Sequence, residues 1–111
     1  MNRLYTGRMT RYGVAIAALI LAPAAMAEGD AEAGRFKAET CMGCHAVESY
    51  FNVYPTYHVP RLGGQSAGYI QSALKAYKDG SRQHDTMHAN AENLSDQDMA
   101  DIAAYLANYG K

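Results

Sequence analysis

Residues 41–45 read Cys41-Met42-Gly43-Cys44-His45, and they use both cysteines of the chain. Two thiols three positions apart reach the two vinyl groups on neighbouring edges of one porphyrin. The next residue then lies beneath the iron, which makes His45 the candidate proximal ligand through its imidazole. The five-residue pattern is the attachment signal of a c-type haem. A dithiol redox pair would need the βαβ units of a thioredoxin-like fold, and no such pattern flanks the motif. A zinc site would take a further ligand from His58, His84 or His88, which leaves His45 directly after Cys44 without a reason. A structural disulfide across two intervening residues is strained.

Upstream of the motif the chain reads as an export leader. Residues 1–12 carry Arg3, Arg8 and Arg11 and no acid, and residues 13–27 (GVAIAALILAPAAMA) carry no charge. The stretch ends Ala25-Met26-Ala27, a small-x-small cleavage pattern, so residues 1–27 are expected to be a secretory signal peptide. The apolar run is shorter than the roughly 20 residues a spanning helix needs, so no stable membrane insertion is expected after cleavage. The expected location is periplasmic, the kind of compartment in which a chain exported unfolded would receive its cofactor.

Cleavage after Ala27 leaves 84 of the 111 residues, 28–111, as a single domain. It also removes three arginines and no acid, leaving seven basic against eleven acidic side chains, a net charge of −4. That balance excludes a nucleic-acid binder, which would carry a basic excess. A core built from so few residues is small, and chains of this size commonly gain stability from a cofactor or metal.

The rest of the mature chain reads as short helices and one long loop. A first helical segment is expected from about Asp30 to Cys41, with Gly34 inside it as the sign of a close helix–helix approach. Residues 46–65 hold Pro55, Pro60 and Gly63-Gly64 and show no helical period, which marks a loop. Ser66 is the expected N-cap of the next helix, whose apolar face is Tyr69, Ile70, Ala73, Leu74 and Tyr77. Gly80 ends it, and residues 81–94 read as polar and irregular. Ser95 and Asp98 form a capping box ahead of a final helix with the stripe Met99, Ile102, Ala103 and Leu106, and Gly110 follows its end. No strand pattern is visible, so the class is all-α with three to four helices.

This order of parts resembles the class I c-type cytochromes, in particular the small bacterial mono-haem type and one half of the di-haem proteins of the c-four kind. The residues that carry the resemblance are Gly34 and Phe36, the Cys41–His45 motif, Pro60-Arg61-Leu62-Gly63-Gly64-Gln65, Tyr69, and Tyr77-Lys78-Asp79-Gly80. Met87, Leu94-Ser95-Asp96-Gln97-Asp98-Met99 and Ala104-Tyr105-Leu106 complete them. Residues 46–59, a tyrosine-rich loop, depart from the family pattern. The resemblance implies one covalently attached haem c, with thioethers at Cys41 and Cys44, iron ligated by His45, and a distal methionine from a loop between the last two helices.

Met87 is the only methionine in residues 78–98. Met1, Met9 and Met26 leave with the leader, Met42 lies inside the attachment motif, and Met99 falls on the stripe of the last helix. His84 and His88 are rival ligands within reach. The resemblance also implies that the Pro60 carbonyl bonds the proximal imidazole and offers Arg61 and Tyr69 as partners of a haem propionate, although helical spacing alternatively puts Tyr69 in the core. The tyrosine-rich loop either walls the haem edge, meets a partner, or forms a satellite apolar cluster. Lys75, Lys78 and Arg82 recur at helical spacing as a solvated or partner-steering face.

Two functions follow from the resemblance. One is a monomeric single-electron carrier, not an enzyme, cycling Fe(III)/Fe(II) between respiratory or dehydrogenase partners met transiently. The other is a haem-bearing subunit of a larger enzyme, or a small haem enzyme with an open distal site.

Overall fold

The structure, a computed structural model, describes residues 26–111. All but the last two residues of the expected leader lie outside the described residues. Five helices follow in chain order: α1 (Ala31–Lys37), α2 (Glu39–His45), α3 (Ala67–Asp79), α4 (Asp85–Ala91) and α5 (Asp96–Asn108). A two-stranded hairpin, β1 (Phe51–Asn52) and β2 (Tyr57–His58), lies between α2 and α3.

The local signals in the sequence are realised where the caps were read. Ser66 Oγ accepts the Tyr69 N–H at the start of α3, and Gly80 ends that helix at φ 82°. At α5 the Ser95 hydroxyl and the Asp98 carboxylate each accept the other residue's backbone N–H, a complete capping box. Asp30 caps α1 by accepting from Glu32 and Ala33.

Among the described residues the helix count is five, not three to four. The first segment is divided at Ala38, which is fully buried in the core, and continues through the motif to His45. Residues 85–91 form a helix where the sequence reads as irregular. This helix is seven residues long, too short to show an apolar period, and Ala91 is its only buried residue. An isolated helix of that length is unstable in water, so α4 exists through its capping and its packing on α3. The hairpin strands are two residues each, paired Phe51 with His58 and Asn52 with Tyr57. Side chains close its turn: Asn52 donates to the Pro55 carbonyl and Thr56 to that of Val53, both at 2.8 Å.

The core is formed where α3 and α5 meet. Ile70 and Leu74 of α3 pack with Met99, Ile102, Ala103 and Leu106 of α5, joined by Ala38 and Ala91. The stripe expected for α5 is therefore the one observed. Tyr69 is not in the core; it is half exposed, at the outer edge of its stripe.

Gly34 lets α1 approach α5. A Cβ there would lie 1.9 Å from the Asp101 carbonyl oxygen and 2.5 Å from its carbon. Backbone of a buried helix cannot yield, so Gly34→Ala must push α1 away. The expected loss is about 3 kcal/mol, a fall in Tm of more than ~10 °C. A thermal melt of the holoprotein checks this, and an unchanged Tm would refute the close approach.

A buried carboxylate pins the same pair of helices. Asp101, 3 % exposed, accepts from the Asp30 N–H at 2.8 Å, Lys37 Nζ at 2.6 Å and Gln97 Nε2 at 2.8 Å. Lys37 also reaches Asp98 at 2.8 Å. Burying a carboxylate is tolerable only with such partners. The Lys37 ammonium beside them, together with the backbone donors, lowers Asp98 and Asp101 from 3.8 to about 2. In the unfolded chain both take up protons near the higher value. Their stabilisation is thus complete above about pH 4 and is lost as pH falls toward 2. Lys37→Met should move the acid-unfolding midpoint to higher pH, read by circular dichroism against pH; an unmoved midpoint would show that Lys37 does not hold these groups.

Candidate functional site

A cleft of ≈ 380 Å³ opens beside the core, within the size range of small-molecule and cofactor pockets. Ile70, Leu74, Ile102 and Leu106 line it from α3 and α5. Cys41, Cys44 and His45 line it from α2, Pro60 and Arg61 from the loop after the hairpin, and Met87 from α4. All seven residues singled out in the sequence, Tyr69 included, therefore face one cavity.

The motif is helical, and this sets its geometry. Residues three apart lie on the same face of a helix, so α2 presents both thiols to the cleft. Neither is in a disulfide. Burial pushes the Cys41 thiol above its usual range. His45 follows on the last turn of α2, and its Nδ1 lies 2.6 Å from the Pro60 carbonyl oxygen. A carbonyl can only accept, so Nδ1 carries the proton and donates it. The neutral ring then has its lone pair on Nε2, the atom a metal would take. This is the contact expected of Pro60.

The three described methionines of the mature chain lie in different places. Met87 is half-buried and lines the cleft, whereas Met99 is fully buried in the core, 1 % exposed. Met42 packs against the core cluster. Both rival histidines make other contacts. His88 Nδ1 donates to the Tyr77 carbonyl at 2.8 Å, which turns the ring outward. His84 is at the cleft, but its Nδ1 accepts the Met87 N–H at 3.4 Å and caps α4. His58 is exposed and stacks edge-on to Phe51, ring centroids 5.0 Å apart.

Arg82 is the residue that sequence reading placed wrongly. It does not share a free face with Lys75 and Lys78. Lys75 lies 3.6 Å from Asp96, and Lys78 donates to the Leu94 carbonyl. Arg82 instead lines the cleft, donating from Nη1 to Tyr69 Oη at 3.2 Å with its guanidinium 4.8 Å over the Tyr77 ring. Its position just past Gly80, where the chain reverses toward Met87, was the available signal. Arg61 and Arg82 give the rim of a largely apolar cleft two positive charges.

The donor set fits an iron porphyrin: two thiols on one helical face, an imidazole whose Nε2 is left free by the Pro60 bond, a soft thioether, apolar walls and a cationic rim. An all-helical domain built around such a cleft is a haem-binding electron-transfer domain. The chain belongs to the cytochrome c family, whose sequence pattern, described as Cytochrome c, matches residues 31–109. It is 46 % identical over 83 residues to cytochrome c-554(548) of Halomonas halodenitrificans, covering 72 % of this chain and 96 % of that protein. With cytochrome c4 of Pseudomonas aeruginosa it shares 38 % over 108 residues, 97 % of this chain but 49 % of the relative. The solved cytochrome c4 of Acidithiobacillus ferrooxidans superposes with a TM-score of 0.57 at 29 % identity, covering 76 % of this chain and 52 % of that one. The chain thus spans about half the length of the c4 proteins it matches. Haem c, with its iron, is the covalently bound cofactor, and the chain is a haem c electron carrier.

Proposed function

We propose that residues 28–111 form an exported, monomeric, periplasmic single-electron carrier that passes electrons between respiratory or dehydrogenase partners met transiently. In this reading Cys41 and Cys44 hold the haem by thioethers, His45 is the proximal iron ligand and Met87 the distal one. The observation that carries it is that His45 and Met87, from different helices, line the same cleft. With both axial positions filled, the iron offers no place to a substrate, which favours electron transfer over catalysis.

Bound haem supplies an iron that gains and loses one electron. The protein does the rest through fixed groups. Pro60 holds the His45 ring in one tautomer and orientation and raises its basicity. The Met87 thioether favours ferrous iron relative to a second nitrogen ligand. Ile70, Leu74, Ile102 and Leu106 exclude water from the cavity, which sharpens every electrostatic contact inside. Arg61 and Arg82, with the Tyr69 hydroxyl, offset the negative charge of the propionates.

Cleavage after Ala27, whose carbonyl accepts from Gln71 at 3.3 Å, would place the new N-terminus next to packed chain. Gly29 already lies so close to α5 that a Cβ would sit 2.0 Å from the Ala100 carbonyl oxygen, and the Glu28 carbonyl accepts from Gln97 at 3.0 Å. Among the described residues no helix is long and apolar enough to cross a membrane.

A redox titration of the purified holoprotein, followed optically, tests the function. The expected result is a one-electron Nernst curve with low-spin spectra in both states and no carbon monoxide binding. High-spin bands with turnover of a substrate would overturn it, and a stable complex with a dehydrogenase would make the chain a subunit. Intact mass should show a chain from Glu28 plus one haem; a chain from Met1 would refute the cleavage.

A further inference from the structure

Three side chains around the first turn of α4 make contacts that the electron-carrier reading does not use. Tyr57, on β2, donates its hydroxyl to Thr86 Oγ1 at 2.9 Å. Its ring meets the His84 ring edge to face, with centroids 4.6 Å apart and planes at 82°. His84 also faces Tyr77 of α3, at 6.4 Å and 76°. On Nδ1 it accepts the backbone N–H of Met87.

Histidine is not among the residues that usually cap helices; those are Ser, Thr, Asp and Asn. Here the ring is held between two tyrosines, so its acceptor nitrogen stays aimed at the Met87 N–H. The helix it caps has one buried residue, Ala91, at its far end. Besides the packing of the half-buried Met87 side chain on the core cluster, the turn that carries it is held by Tyr57, Thr86 and His84. Moving the Met87 side chain away from the cleft by shifting that turn breaks the Tyr57–Thr86 bond and the His84 cap together.

We propose that Tyr57 and His84 are positioning residues. The tyrosine-rich hairpin clamps the first turn of α4, and the clamp sets the cost of displacing the Met87 thioether from the iron. This inference rests on the proposed Met87 ligation. It also gives the hairpin a role inside the molecule: its Tyr57 side reaches across the cleft to the distal helix.

The experiment titrates ferric holoprotein with imidazole, which competes with the thioether, and follows loss of the weak far-red band of thioether–iron ligation. Tyr57→Phe keeps the ring and removes one hydrogen bond, so imidazole should bind about threefold to tenfold tighter. His84→Ala, which loses the cap and both ring contacts, should bind it tighter still. His84→Asn restores an acceptor for the Met87 N–H and should fall between His84→Ala and wild type. Lys37→Met, which loosens α1 on α5 and does not line the cleft, is the stability control and should bind imidazole as wild type does.

Wild-type imidazole affinity in Tyr57→Phe and His84→Ala, with the band abolished in Met87→Ala, would refute the clamp and leave the ligation standing. An equal gain in Lys37→Met and Tyr57→Phe would reduce the effect to general loosening and refute the clamp as well. Persistence of the band in Met87→Ala would refute the ligation itself.

Discussion

Met87→Ala should empty the distal iron position while His45 and the two thioethers still hold the haem. The far-red ferric band should vanish, and carbon monoxide, which has no site on a six-coordinate iron, should bind. The reduction potential should fall, because a thioether that favours ferrous iron is gone. Water enters the vacancy, or His84, which already lies at the cleft but must give up its cap on the residue 87 N–H and its two tyrosine contacts to turn. His88 is not available for it, being bonded to the Tyr77 carbonyl. The matched control is Met99→Leu, a near-isosteric change in the core that should keep the ligation and cost less than about 1.5 kcal/mol. An optical spectrum and potential unchanged in Met87→Ala would show that another group ligates the iron.

Replacing Cys41 and Cys44 together by alanine should leave a largely unfolded, protease-sensitive chain. The described core has only three large side chains that are fully buried, Met99, Ile102 and Leu106. The cleft that Ile102 and Leu106 border has a volume of ≈ 380 Å³. At about 24 cal/mol per Å³ of apolar cavity, leaving it unfilled costs up to ~9 kcal/mol. That matches the whole stability of an ordinary small domain. Water entering from the open side reduces the figure, yet a small domain has little margin. Circular dichroism checks the outcome; a full native helix signal without haem would show that the polypeptide folds by itself.

The features that were legible in the sequence are those settled by near neighbours. The capping box at Ser95 and Asp98, the Ser66 cap and the Gly80 stop each involve residues within one turn, so the local chain determines them. The attachment motif is five consecutive residues, although the helix expected to stop near Cys41 runs on through it to His45. Met87 could be singled out because every other methionine had a reason to be elsewhere. Gly34 was legible as a close approach, although not what it approaches.

The features that were not legible depend on distant partners. The α4 helix shows no period in seven residues, and its cap is a histidine held in place by tyrosines from β2 and α3. Each strand of the hairpin is two residues long, below the length at which alternation can be seen. Tyr69 shares its spacing with buried residues, yet it turns outward to meet Arg82. Asp101 falls within an apolar stripe and would be read as solvated. Its partners Lys37 and Asp30 are 64 and 71 residues away.

By itself, then, the sequence determined the haem attachment, the helical class and the ends of α3 and α5, because each rests on covalent spacing or on contacts within a few residues. Only the tertiary structure decided that Arg82 reaches the cleft to meet Tyr69 and that Tyr57 of the hairpin bonds Thr86 of α4. Those are contacts between side chains far apart along the chain. Their free energy exists only once packing has brought the two ends together.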